Sequence, residues 1–349
     1  MKRSPILALF SRVIVLLALT TGFTSAQEIT TFDVPDGIAT TPTAITPSGQ
    51  IVGYYGDTKA GTVRGFLRNR DGTVTTFAAP GSTYTAPTGV NPWGQIVGYY
   101  DESSTSGFLQ PGFVRNPDGT IITISLSEAT NVYPEGINAR GEIIGHWVDL
   151  AQFSHGFVRN RRGTITSFDA GSGGFPGTID LAINPFGQSV GSYDDSGTEA
   201  HGFLRQADGA IESFDAQDAT NTSPVAINAR GQIVGSYTDA NDMRHGFLRR
   251  VDGTIEVFDL LNATNTWPVA INERRQIAGY YADVSSALHG FLREADGHVK
   301  RFDVPNSTST VPTAMNERSE ITGVFTDSDG KQHGFVTRAP RSYRDQQDF

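Results

Sequence analysis

The most regular polar constellation in this 349-residue chain is an aspartate six residues before a histidine: Asp149/His155, Asp195/His201, Asp239/His245, Asp283/His289 and Asp327/His333. A carboxylate and an imidazole at fixed spacing are groups that ligate metals or activate water. One reading is therefore a ring of metal-binding or water-activating pairs. The other is an Asp-His hydrogen bond that closes a turn, repeated because its unit is repeated. The second is preferred, because catalysis needs one distinguished site rather than five equal ones. Two further copies of the unit carry Arg64 and Pro111 where the His should be. No catalytic residue, metal site or cofactor is expected from this pattern.

Three other features bear on function. The residue before the recurring Pro is Thr41, Ala86, Tyr133, Ser223, Trp267 and Val311, while the fourth copy rebuilds this segment around Phe175-Pro176. This segment reads as a long loop, and variable loops on a repeat scaffold are where function tends to sit. Tyr133, Phe175 and Trp267 suit stacking on a sugar or an aromatic ligand, although capping of the repeats by apolar contact is the commoner use of such residues. The phrase from Thr326 to Lys331 resembles the start of a calcium loop but lacks the remaining ligands, including the closing Glu, and reads as a polar turn. Asn91, Asn138, Asn184, Asn228, Asn272 and Asn316 form a further set, suited to an axial anion or, preferably, to satisfying the backbone of tight turns.

Positioning these residues falls to a repeat. Gly-Phe recurs at Gly65, Gly112, Gly156, Gly202, Gly246, Gly290 and Gly334, and a Gly after Ile-Val or its equivalent at Gly53, Gly98, Gly145, Gly191, Gly235, Gly279 and Gly323. Seven copies of about 45 residues override the two domains that length alone suggests. Each copy reads as four strands, in the fifth copy about 225–228, 232–237, 245–249 and 254–258. Asp-Gly hairpin signals follow the third strand, with Arg162-Gly163 in the third copy instead. No helical periodicity appears.

Four antiparallel strands in such a unit suit a propeller blade. Ala44, Gly89, Gly136, Ala182, Ala226, Ala270 and Ala314 are small residues where blades must converge. A Phe-Asp strand end stands at Phe32 before the first full unit, yet none follows Gly334. The sequence therefore predicts an all-β, seven-bladed β-propeller closed by an N-terminal outer strand at 28–32, which leaves no exposed edge. A β-solenoid would need caps and would not explain the split unit.

The repeat resembles the HAF repeat of exported bacterial proteins, named for its His-Ala-Phe tripeptide. Here that tripeptide reads His155-Gly156-Phe157, His201-Gly202-Phe203, His245-Gly246-Phe247, His289-Gly290-Phe291 and His333-Gly334-Phe335. The resemblance implies export and a repetitive β fold, and it carries no activity. Residues 1–26 independently read as a secretory signal, with Lys2 and Arg3, an apolar stretch too short to span a bilayer, and Ser25-Ala26 at its end. Removing them takes the formal net charge from −10 to −13 and the length to 323 residues. The expected organisation is signal 1–26, propeller 27–338 and polar tail 339–349, secreted or periplasmic, without membrane insertion of the mature chain.

The acid excess argues against nucleic-acid binding, and the absence of Cys excludes disulfides, thiolate chemistry and Cys-ligated metals. No nucleophile elbow, zincin pair, P-loop or Rossmann glycine pattern is present. Sites assembled from several blades leave no such pattern. The preferred expectation is a non-catalytic, monomeric binding module for a glycan, cell-surface component or protein. The alternative is a hydrolase or lyase acting on an extracellular polymer.

Overall fold

The structure, a computed structural model, describes residues 28–104, 107–171, 177–195 and 199–338. The expected signal, the polar tail and Phe175 lie outside the described residues. Those residues contain strands, turns and bends and no helix.

In the fifth unit the strands run Asn221–Ile227, Ile233–Thr238, Arg244–Arg249 and Ile255–Phe258. The first, or inner, strand begins four residues earlier than expected. This corrects the placement of the residues before Pro. Thr41, Ala86, Tyr133, Ser223, Trp267 and Val311 lie inside the inner strands rather than in an entry loop. A strand accommodates Pro, which has no N–H, where its ladder is already interrupted. Here a register shift follows directly, between Pro224 and Ala226 in the fifth unit and at the matching place in the others. Opposite each Pro stands the Gly of the Ile-Val-Gly phrase, as Gly235 faces Pro224. A side chain there would strike the inner-strand backbone.

The strands form five four-stranded antiparallel sheets, one eight-stranded sheet and a small two-stranded one. The eight-stranded sheet is the fourth and fifth units joined by a single parallel bridge between Ala200 and Asn221. The two-stranded sheet, Glu102–Ser104 with Gly107–Leu109, is an insertion in the second unit.

The core lies between successive sheets. The Phe of every Gly-Phe pair, from Phe66 to Phe335, has no exposed surface. Most of them meet the outer-strand Phe of the preceding unit edge-on, as Phe247 meets Phe214 at 6.2 Å between ring centroids. The Gly of the pair makes room for its own unit's outer Phe. A methyl on Gly246 would sit 2.8 Å from the Phe258 ring, which explains Gly where the resembled repeat has Ala.

Closure follows the expected route. Strand Glu28–Phe32 pairs antiparallel with Gln332–Arg338, so the two ends of the described chain complete one sheet. The last unit also bonds the first, through Thr313 Oγ1 to the Pro42 carbonyl (2.9 Å) and Asn316 Nδ2 to the Thr46 carbonyl (3.0 Å). Such a circuit is incompatible with an open solenoid.

Candidate functional site

Each of the five recurring histidines lies at the start of a third strand. Its unit's hairpin aspartate ends or follows the second strand, and the two groups do meet. His Nε2 lies 3.6 Å from Asp149 at His155, 3.3 Å from Asp195 at His201, 3.5 Å from Asp239 at His245, 3.4 Å from Asp283 at His289 and 3.2 Å from Asp327 at His333. A second aspartate, absent from the sequence reading, takes the other ring nitrogen. Nδ1 lies 2.8 to 3.0 Å from Asp169, Asp215, Asp259, Asp303 and Asp33 in the same order. These are the Asp residues of the Phe-Asp strand ends. The recurrence of four of them fourteen residues after their His was the available signal. Asp33 directly follows the N-terminal strand, so the fifth clasp exists only because that strand pairs with the last one.

Each imidazole also lies over an aromatic ring of the second strand, from Trp147 at 4.4 Å from His155 to Tyr193 at 5.3 Å from His201. Hydrogen bonding to Asp215 raises the pKa of His201. At His245, His289 and His333 burial acts downward, and the flanking carboxylates outweigh it to raise the pKa. The hairpin aspartates are held low by their own turns: Asp239 by the Met243 N–H, Asp327 by the Lys331 N–H, and Asp283, pushed down to about 2, by the Ser285 hydroxyl. Nδ1 is thus hydrogen-bonded in every clasp, and Nε2 is hydrogen-bonded to the hairpin aspartate at His289 and His333 and within ion-pairing distance of it at the other three, which makes the clasp an ion-pairing turn lock. No group of three or more His, Asp or Glu among the described residues is arranged to hold a metal ion. Asp327 Oδ1 accepts from the Asp329 and Lys331 N–H groups, so the calcium-like phrase is a turn.

Tyr133 and Trp267 sit on the opposite face of their sheets from these clasps, because they pair with the residue before the one that stacks on His. Tyr133 faces His146 at 4.9 Å between ring centroids, and Trp267 stacks on Tyr280 at 4.9 Å with planes 17° apart. From Tyr133 an aromatic arc crosses two unit boundaries, through Tyr99 (4.9 Å) and Tyr84 (6.0 Å) to Tyr54 (6.4 Å). All these rings are half-buried. The Tyr133 hydroxyl donates to Gln110 Oε1 at 2.5 Å.

One carboxylate and one imidazole in this arc have no counterpart in the other units. Glu135, on the inner-strand bulge, takes the position of Thr43, Thr88, Val225, Val269 and Thr313. His146 takes that of Tyr54, Tyr99, Ser192, Ser236, Tyr280 and Val324. Glu135 Oε1 lies 3.7 Å from His146 Nδ1, too far for a hydrogen bond, and that buried nitrogen has no other partner. Burial pushes Glu135 up to about 7 and His146 down to about 4. The protonated acid and the neutral imidazole are both stabilised here, leaving a donor and an acceptor side by side. Sequence reasoning missed the pair, whose signal was a break in the repeat at two matched positions.

The asparagine set serves the turns at the other end of each sheet. Asn228 Oδ1 accepts from the Arg230 and Gln232 N–H groups, at 3.1 and 3.0 Å. Its Nδ2 donates to the Asn272 carbonyl of the next unit at 3.2 Å, and Asn91, Asn138 and Asn184 donate onward in the same way. These groups bind one unit to the next.

No family model matches the chain, and no curated protein matches it in sequence. Solved structures do. The β-propeller domain of the Trilobed protease from Pyrococcus furiosus aligns with a TM-score of 0.61 at 9% identity, over 87% of this chain and 97% of that one. Virginiamycin B lyase from Staphylococcus aureus aligns with a TM-score of 0.57 at 12% identity, over 90% of this chain and all of that one. YCF48 bound to D1 peptide aligns with a TM-score of 0.54 at 11% identity, over 89% and 97%. A protease domain, a lyase and a peptide-bound protein share the architecture, so it does not select an activity. At this level of identity the likeness shows the fold alone, and the fold is a β-propeller.

Proposed function

We propose that this chain is an exported, monomeric, seven-bladed propeller of HAF-type repeats, occupying residues 27–338 between a signal at 1–26 and a polar tail at 339–349. Its role is non-catalytic binding of a glycan, with a cell-surface polymer as the natural source, in the periplasm or outside the cell. The single observation that carries this reading is the half-buried inner-strand aromatic set, Tyr99/Tyr133/His146 and Trp267/Tyr280. These positions vary between units whose cores repeat, and rings beside Gln110 and Glu135 match a sugar's apolar face and its hydroxyls. The Asp-His clasps contribute the rigid rim.

A second reading, a hydrolase or lyase acting on an extracellular polymer, is favoured by one observation: Glu135 and His146 are the inequivalent pair that acid-base chemistry requires. A glycan array combined with a polysaccharide-degradation screen on residues 27–349 separates the two. The binding reading expects ligand retention without product, weakened at least about tenfold by Tyr133→Ala or Trp267→Ala. Product that disappears in Glu135→Gln would overturn it in favour of the enzyme.

A further inference from the structure

At the opposite end of the sheets, where the asparagine turns and outer hairpins lie, a cleft of about 560 Å³ opens between the second and third units. Trp93, Arg140, Arg159 and Arg161 line it. Trp93 is 69% exposed, and its indole N–H donates to the Ala139 carbonyl at 2.7 Å, which fixes the ring across the unit boundary.

Arg159 is the informative residue. Its five counterparts, Arg68, Arg115, Arg205, Arg249 and Arg293, each lay the guanidinium over the outer Phe of the preceding unit, 4.6 to 4.9 Å from the ring centre. Arg249 and Arg293 also pair with Glu212 and Glu256 on that same outer strand. Before Arg159 the outer strand is Ile121–Ile124, so Ile122 replaces the Glu and Ile124 replaces the Phe. The acidic member of the following hairpin, Asp71, Asp118, Asp208, Asp252 or Asp296 elsewhere, is Arg162 here. Three replacements at three separate positions thus deprive Arg159 of the ring that covers all five counterparts, of the Glu that pairs with two of them, and of the hairpin carboxylate.

Among the described residues the Arg159 guanidinium has no hydrogen bond, ion pair or ring partner, although it is half-buried. Burial lowers its pKa with no carboxylate opposing the shift. Arg161 is exposed beside it, and Arg140 spends one N–H on the Phe186 carbonyl at 3.4 Å. Glu142, which lies beside Arg140 and Arg161, accepts from Asn138 at 2.7 Å. Clustered guanidiniums repel one another, and the half-buried one is desolvated without a compensating carboxylate, which is otherwise a cost.

We propose that this cleft binds an oxyanion carried on a sugar ring, a uronate or sulfated saccharide unit, with Arg159 and Arg161 on the anion and Trp93 against the ring. Guanidinium forks suit planar or tetrahedral oxyanions, and an indole face suits a pyranose. The site lies away from Tyr133 and Trp267, so it stands or falls separately from the glycan-binding reading above.

The test is calorimetric titration of the purified chain at low ionic strength with tetragalacturonate, inorganic sulfate and maltotetraose. Tetragalacturonate is expected to bind, to weaken as salt is raised, and to exceed sulfate and maltotetraose by at least about tenfold. Arg159→Gln is expected to cost a further tenfold or more. The matched change Arg205→Gln, at a guanidinium already covered by Phe168, should leave binding unchanged, and Trp93→Ala should reduce the acidic oligomer to the level of sulfate. Equal binding of maltotetraose, retention in Arg159→Gln, equal loss in Arg205→Gln, or no binding of the acidic probe would each overturn the proposal.

Discussion

Replacing Gly235 by alanine tests the crowding that places the inner strands. A methyl on Gly235 would overlap the Ser223 carbonyl oxygen and lie 2.7 Å from both Pro224 Cα and Phe247 Cζ. Two of those obstacles are backbone, and the third is a ring with no exposed surface. Relief requires the inner strand to move, yet pairing of Ile227 with Ile233 and the Asn228 turn hold its end. Overpacking costs about 1–3 kcal/mol, and rigid obstacles put this site at about 3. The smaller unfolded-state entropy of alanine offsets somewhat under 1 kcal/mol. A net loss of about 2–3 kcal/mol lowers Tm by about 3–5 °C in a domain of this size. For Gly246→Ala the three nearest atoms all belong to the Phe258 ring, which is partly exposed and can yield, so about 1 kcal/mol is expected. Gly330→Ala has φ +78 and no neighbour within 4 Å, and reports backbone strain alone. Urea and thermal unfolding followed by circular dichroism would give all three values. A Gly235→Ala protein within about 0.5 kcal/mol of the parent, or a reversed order, would refute the crowding argument.

Two further outcomes follow from the clasps and the asparagine circuit. His201, His245, His289 and His333 have raised pKa values, so their stabilisation is complete below the unfolded His value and lost as pH rises through the folded one. The lowered values of Asp149, Asp239, Asp283 and Asp327 place their stabilisation above the unfolded Asp value and remove it in acid. Urea midpoints should therefore peak at about pH 4.5–6.5 and fall on the alkaline side. The double change His245→Gln/His289→Gln should flatten that fall, and an unchanged alkaline slope would contradict the assignment. Asn228→Ala removes the one oxygen that accepts from two turn N–H groups and one bond between units, for an expected loss of about 2 kcal/mol measured by urea unfolding, and a neutral result would remove the asparagines from the account of closure.

Much of the architecture was legible because it repeats. The spacing of Gly-Phe set the unit, the Asp-Gly signals set the outer hairpins, and the isolated Phe32 predicted the pairing of Glu28–Phe32 with the last strand. The inner-strand boundary was misread, since Pro224 reads as a breaker until Gly235 and the bulge are seen opposite it. Half of each clasp was legible: Asp239 precedes His245 closely in sequence, while Asp259 follows after a whole strand has turned back.

What the sequence determined by itself is what local rules can encode: strand periodicity, turn residues, the glycines that admit neighbouring backbone, and a split repeat that must close. What only the tertiary structure decided are the meetings of residues that no local rule joins. Asp33 reaches His333 across 300 positions, and Glu135 comes within 3.7 Å of His146 through a bulge. Arg159 is left bare because a preceding strand carries Ile122 and Ile124. A repeat announces its shared positions by recurrence. The exceptions acquire chemistry only from the neighbours that folding supplies.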